Sequence, residues 1–122
     1  MTFPELLEKQ WSDYSERHKS KVNLLIHIVT VPLVWIATIQ VVGALLLMLM
    51  PGVAGIPILF WALVLIAIAL FAQRHGNSME AVKPAPFTNA KDFAIAAAAE
   101  QFVTFPRFVL TGEWLRNFQA VG

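Results

Sequence analysis

From Val22 to Gln73 the chain holds no Asp, Glu, Lys or Arg, and this apolar run is broken only at Met50-Pro51-Gly52 and Gly55-Ile56-Pro57. The pattern predicts a helical hairpin, with a first span over 22–50 and a second over 56–73. At ~1.5 Å per residue the first span would be roughly 43 Å long against a hydrocarbon core of about 30 Å, so its first turns must protrude, tilt or kink. Pro32 marks the expected kink, because it has no N–H to offer the carbonyl of Ile28.

Ahead of the hairpin, in the segment 1–21, Phe3, Leu6, Leu7, Trp11 and Tyr14 keep a three-to-four spacing, while Glu5, Glu8, Lys9, Asp13 and Glu16 take the other side. This predicts an amphipathic helix over 3–19, with Thr2 as N-cap and Glu5 closing a capping box. A cleavable signal peptide is not expected here, since the first apolar run begins only at Val22, after four basic and four acidic residues. Behind the hairpin, Lys83-Pro84-Ala85-Pro86-Phe87 reads as an extended connector. Thr88 or Asn89 then caps an alanine-rich helix over 91–105, Pro106 bends or restarts it, and Thr111-Gly112 ends it. With charges at Glu100 and Arg107, this helix is expected to lie on the mouth of the hairpin, within a cytoplasmic or interfacial segment 74–122, and not to form a third span. The predicted fold class is all-α: one integral membrane domain over 1–122, a two-span hairpin with amphipathic surface helices at both ends.

Composition agrees with a membrane protein, at 57% hydrophobic and 14% charged residues in 122 and a mean hydropathy of +0.63. Nine Lys and Arg nearly cancel eight Asp and Glu, which leaves no basic face for a nucleic acid, and there is no Gly-rich phosphate loop. The chain has no cysteine, so any metal must be held by nitrogen and oxygen. All nine basic residues fall outside the hairpin. Positive-inside bias therefore predicts both termini in the cytoplasm and the Pro-Gly loop outside. A hairpin of this kind returns residues some fifty apart in sequence to one side of the bilayer.

Two of the three histidines, His18 and His27, flank the boundary between the charged segment and the first span. Nine residues on a straight helix is about 900°, or opposite faces, so the two can share a ligand only if the helix breaks between them, and Ser20 offers such a break. Asn23 and His27 share a face. His27 could equally be a core histidine bonded to Asn23 or to the carbonyl freed by Pro32, and His18 a solvated one. Arg74-His75-Gly76 reads either as an ordinary helix end, with Glu80 paired to Arg74 or Lys83, or as a source of nitrogen and carboxylate ligands for iron. Glu100 interrupts an alanine run, as an exposed residue or a functional one. Tyr14, Trp11, Trp35 and Trp61 read as interface or packing residues.

Tyr14, His18, Asn23, His27 and Pro32 resemble, in identity and interval, the first motif of the Mpo-like family. Gln73, Gly76, Glu80 and Pro84, with Glu100-Gln101 and Phe105-Pro106-Arg107-Phe108, look like the second segment in a bacterial branch of that family. The resemblance implies an all-helical integral membrane protein, here of a bacterial inner membrane. In characterised relatives it implies an Fe(II)-dependent dioxygenase of fatty acid alpha-oxidation, which uses O2 to remove one carbon from a long-chain 2-hydroxy fatty acid. A non-catalytic lipid-binding or structural membrane protein of the same family is the alternative. The family's third histidine position is Asn77 in this chain, with His75 on the other side of Gly76, so that either His75 substitutes or the centre is altered. The expected ligand set is His18, His27 and His75 with Glu80 or Glu100; Asn23 would orient His27, and Tyr14 and Asn77 would stand around the ligands.

Overall fold

The computed structural model describes residues 2–82 and 89–121. Every regular element among them is helical: α1 (Phe3–Ser12), α2 (Lys21–Leu47), α3 (Gly55–Ser78), α4 (Ala90–Ala99), a π-helical turn (Glu100–Thr104), α5 (Phe105–Leu110) and α6 (Glu113–Val121). Three helical stretches are long and apolar enough to cross a membrane, Lys21–Leu47, Gly55–Ser78 and the continuous run Ala90–Leu110. By length and composition the third adds a candidate to the expected two; within it Glu100 turns inward, with only 15% of its side chain exposed. A charge so directed costs the outer, lipid-facing surface nothing.

The capping box forms as expected, Thr2 Oγ1 accepting from the Glu5 N–H and the Glu5 carboxylate from the Thr2 N–H. However, α1 stops at Ser12 and not at 19. Ser12 bonds back to the Lys9 carbonyl, and Ser12, Asp13 and Ser15 are residues whose side chains compete with a helical backbone. Turns follow up to Arg17, and Ser20, in extended conformation, caps α2 by accepting from the Asn23 N–H. The break that would let His18 and His27 meet is therefore present. α2 runs through Pro32 without interruption.

α2 and α3 pack on a seam of small residues. Gly55, Ala62, Ala69 and Gly76 recur at intervals of seven on α3 and are all buried; Gly55 meets Ala44 of α2 and Gly76 meets Asn23. In lipid no hydrophobic force separates helix from solvent, so close backbone approach supplies the attraction. A Cβ on Gly55 would strike the Ala44 carbonyl and come within 2.8 Å of the Met48 side chain. Outward, Ile39 is 72% and Phe71 76% exposed, which suits a surface solvated by acyl chains. The connection carries Gly52 at φ +113°, a value that favours glycine.

α3 also outruns its predicted end at 73. Gly76 does not terminate it but lies within it, and Asn23 Oδ1 occupies the space that a Gly76 Cβ would fill. The predicted connector at 83–87 lies outside the described residues. Asn89 is the N-cap of α4, accepting from the Asp92 N–H at 2.8 Å. Gly112, at φ +83°, separates α5 from α6. α1 lies against this C-terminal half: Gln10 donates to the Ala96 carbonyl and accepts from Thr104, and the Arg107 guanidinium sits 4.1 Å over the Trp11 ring.

The π-helical turn follows from Pro106. Phe105 N–H donates to the Glu100 carbonyl, five residues back. The Gln101 carbonyl has then lost its α-helical donor, and its π-helical donor would be Pro106, which has no N–H. Trp35 Nε1 of α2 takes that carbonyl at 2.7 Å. Beside it the Gln73 and Gln101 amides bond each other reciprocally at 3.0 and 2.6 Å, and Gln73 also donates to Thr30. These bonds tie the turn to the half of the hairpin that holds the first part of α2 and the last part of α3.

Candidate metal centre

His18, at the close of the turns after α1, His27, two turns into α2, and Glu100, at the head of the π-helical turn, converge there. Both histidines are fully buried. Each ring backs onto a carbonyl four residues earlier, His18 Nδ1 at 2.8 Å from the Tyr14 oxygen and His27 Nδ1 at 3.0 Å from the Asn23 oxygen. A carbonyl oxygen can only accept, so Nδ1 bears a proton, and in the neutral imidazole each Nε2 presents a bare lone pair. Glu100 Oε2 lies 3.6 Å from His18 Nε2 and 3.2 Å from His27 Nε2. It is already held by the Tyr14 hydroxyl, which donates to it at 2.7 Å.

Three acceptors thus face one another, with their ligand atoms all within 4.8 Å, and neither Nε2 has a hydrogen-bond donor. Buried lone pairs in this state repel and lose their hydration, and a cation in their midst satisfies all three. A second proton on His27 could bridge to Glu100 at 3.2 Å, but it would leave His18 unsatisfied. The donor set, two imidazoles and a carboxylate, fits a first-row transition metal, and an Nδ1–H bond to a carbonyl is how metal-ligating histidines are usually oriented.

Aromatic rings close the surroundings. Tyr14 stacks on His18 with centroids 3.8 Å apart and planes at 19°, Phe108 meets Tyr14 edge-on at 5.1 Å, and Phe105 lies 5.8 Å from His27. Burial, then the adjacent Glu100 carboxylate and its hydrogen bond, hold the Tyr14 pKa well above its ordinary value, with Arg17 opposing. Its folded-state value being raised, Tyr14 contributes stability in full below about pH 10 and loses it as the pH climbs through the folded value. Tyr14 is the only tyrosine, so phenolate absorbance reports it alone. In the metal-free protein that absorbance is expected to stay silent past pH 10 and to rise together with unfolding; an ordinary titration near 10 on intact protein would contradict the burial.

Of the other residues singled out, Glu80 and His75 do not join this cluster. The Glu80 carboxylate accepts from the Lys19 and Ser20 N–H groups, at 2.9 to 3.0 Å, and from Asn23 Nδ2 at 2.7 Å. It caps α2 from just past the end of α3. His75 is exposed on the outer face of α3. Asn77 accepts from Asn23 Nδ2 at 3.3 Å, so it stands behind Asn23 and not at the centre. Asn23 supports His27 through its backbone carbonyl, while its amide bridges Asn77 and Glu80.

Fold and site together define a helical membrane protein with a buried histidine, histidine and glutamate cluster. The profile of the family described as 2-hydroxy-palmitic acid dioxygenase Mpo1-like matches residues 5–104, and the chain belongs to that family. No curated protein and no solved structure matches it.

Proposed function

We propose that the chain is a membrane-bound iron(II) dioxygenase acting on 2-hydroxy fatty acids, with His18, His27 and Glu100 as the protein ligands. The observation that carries this reading is the pair of donorless Nε2 atoms facing Glu100. Two histidines and one carboxylate are the ligand set of non-haem iron(II) oxygenases. An iron(II) held there would supply the O2 chemistry that removes the carboxyl carbon. Tyr14 keeps Glu100 turned inward through its hydroxyl, the Tyr14 and Asn23 carbonyls fix both imidazoles in the tautomer that binds metal, and Phe105 and Phe108 exclude water. A long-chain substrate would leave its tail in lipid along the exposed hairpin and bring its hydroxy acid head to this end.

Protein purified without chelator is expected to hold close to one iron per chain and to shorten a 2-hydroxy fatty acid by one carbon. The His27 to Glu100 approach at 3.2 Å also suits a structural ion pair in a non-catalytic lipid-binding relative, and that protein would purify metal-free. The basic residues flanking the hairpin support a centre at the cytoplasmic face of a bacterial inner membrane. In this cysteine-free chain, a single cysteine at Gly52 should then label from the outside, and one at Ser12 from the cytoplasm; labelling of both from one side would overturn the arrangement.

A further inference from the structure

The two histidines stand on opposite sides of a helix break, so no single rigid element fixes their separation. One tie is Glu80, just past the end of α3, which grips Lys19 and Ser20. The other comes from α6, which lies beyond residues 5–104, the part of the chain that matches the family. Asn117 Nδ2 lies 3.1 Å from the Ser15 carbonyl, the Ser15 hydroxyl and the His18 carbonyl. Its two hydrogens therefore hold both ends of the turn that presents His18. One helical turn earlier, Trp114 Nε1 donates to the Leu24 carbonyl of α2 at 3.0 Å. Phe118 stacks on Trp114 with centroids 5.1 Å apart, and the Lys21 ammonium sits 4.7 Å over the Phe118 ring. A single helix thus bonds the His18 turn through Asn117 and the first turns of α2, which carry His27, through Trp114.

We propose that α6 is a clasp that sets the spacing of the two histidines, and that Asn117 is the positioning residue for His18. The inference rests on the reading of His18 and His27 as metal ligands. Imidazole rings with centroids 4.9 Å apart converge on one ion only while both backbones hold their places, and a ligand displaced by a fraction of an ångström weakens the site without unfolding the helices. Ala90–Leu110 and the hairpin keep their own bonds when Asn117 is lost, because none of those runs through α6.

The test uses full-length protein in detergent, stripped of metal and titrated with Co(II), whose visible ligand-field bands report the ligands. Asn117→Ala should bind Co(II) about 10 to 100-fold more weakly than the parent, as for other groups that orient a ligand. Its bands should be altered, while the metal-free protein melts within a few degrees of the parent. Asn117→Asp has the same size but no N–H, and it turns a carboxylate toward two carbonyls; it should lose at least as much affinity. Parent-like affinity and spectrum in both variants would overturn the clasp and leave the metal reading standing. Weaker binding accompanied by an equal collapse of the metal-free fold would also overturn it, making Asn117 a residue of the fold alone. If the parent itself bound no Co(II), the metal reading would fail, and the clasp with it.

Discussion

The Glu100→Gln protein is expected to lose its metal and yet, in the metal-free state, to be more stable than the parent. Both effects follow from one arrangement. The parent holds three acceptors together, Nε2 of His18, Nε2 of His27 and Oε2 of Glu100, with the Tyr14 hydroxyl as the only donor among the described residues. A glutamine of the same shape removes the negative charge that an ion needs and supplies an N–H that can reach His27 Nε2, which now lies 3.2 Å from the carboxylate oxygen. One hydrogen bond gained and one repulsion relieved are worth about 1 kcal/mol, the usual sign when a functional arrangement is traded for stability. Metal affinity should fall by more than the ~10 to 100-fold typical of groups that merely orient a ligand, and His27→Ala should abolish binding outright. His75→Ala, on the exposed face of α3, should change neither quantity. The structural alternative gives the opposite sign. If His27 is protonated and paired with Glu100, removing the charge strands an imidazolium and costs about 3 to 5 kcal/mol. Thermal melts of the two metal-free proteins, with metal titrations beside them, decide between these outcomes.

How far the centre could be read from the sequence differs residue by residue. His18 and His27 were legible as a pair, because a nine-residue spacing needs a break and Ser20 marks one. Glu100 and Glu80 could not be ranked. Which way Glu100 points depends on a π-helical turn that advances the helix by an extra residue, and its cause is Pro106, six residues downstream and without an N–H for the Gln101 carbonyl. Gly76 was read as a possible helix end because glycine commonly is one; its actual reason is across the interface, where Asn23 Oδ1 fills its missing side chain. A signal was available for that: Gly55, Ala62, Ala69 and Gly76 form a seven-residue repeat of small residues, which marks a close helix seam running past 73. The third apolar helix was discounted for Glu100 and Arg107; Glu100 faces buried partners, whereas Arg107 stays exposed over the Trp11 ring. Nothing local singles out Asn117, whose acceptors lie about a hundred residues away.

The Glu80→Ala protein should show the largest loss of stability of any single change outside the apolar seam. A helix N-terminus leaves its first N–H groups without partners and carries partial positive charge. At the start of α2 the Glu80 carboxylate takes the N–H of the N-cap Ser20, that of Lys19 just before it and the side-chain amide of Asn23, in a position only 4% exposed. Hydrogen bonds to a charged group contribute about 1.5 to 3 kcal/mol each, and they share one side chain here, so the loss is expected at about 3 kcal/mol or more. Glu80→Gln retains an acceptor oxygen and should cost roughly a third of that. In both variants the metal affinity should drop by about 10-fold at most, through slackening of the turn beside His18. Glu100 and Glu80 are therefore expected to separate along two axes: replacing the first should abolish metal binding and stabilise the metal-free protein, and replacing the second should weaken the fold with a small effect on metal. Denaturant unfolding in detergent and Co(II) titration of the same preparations read both axes. A Glu80→Gln protein that melted like the parent but no longer held metal would transfer the ligand role to Glu80 and break the assignment of Glu100.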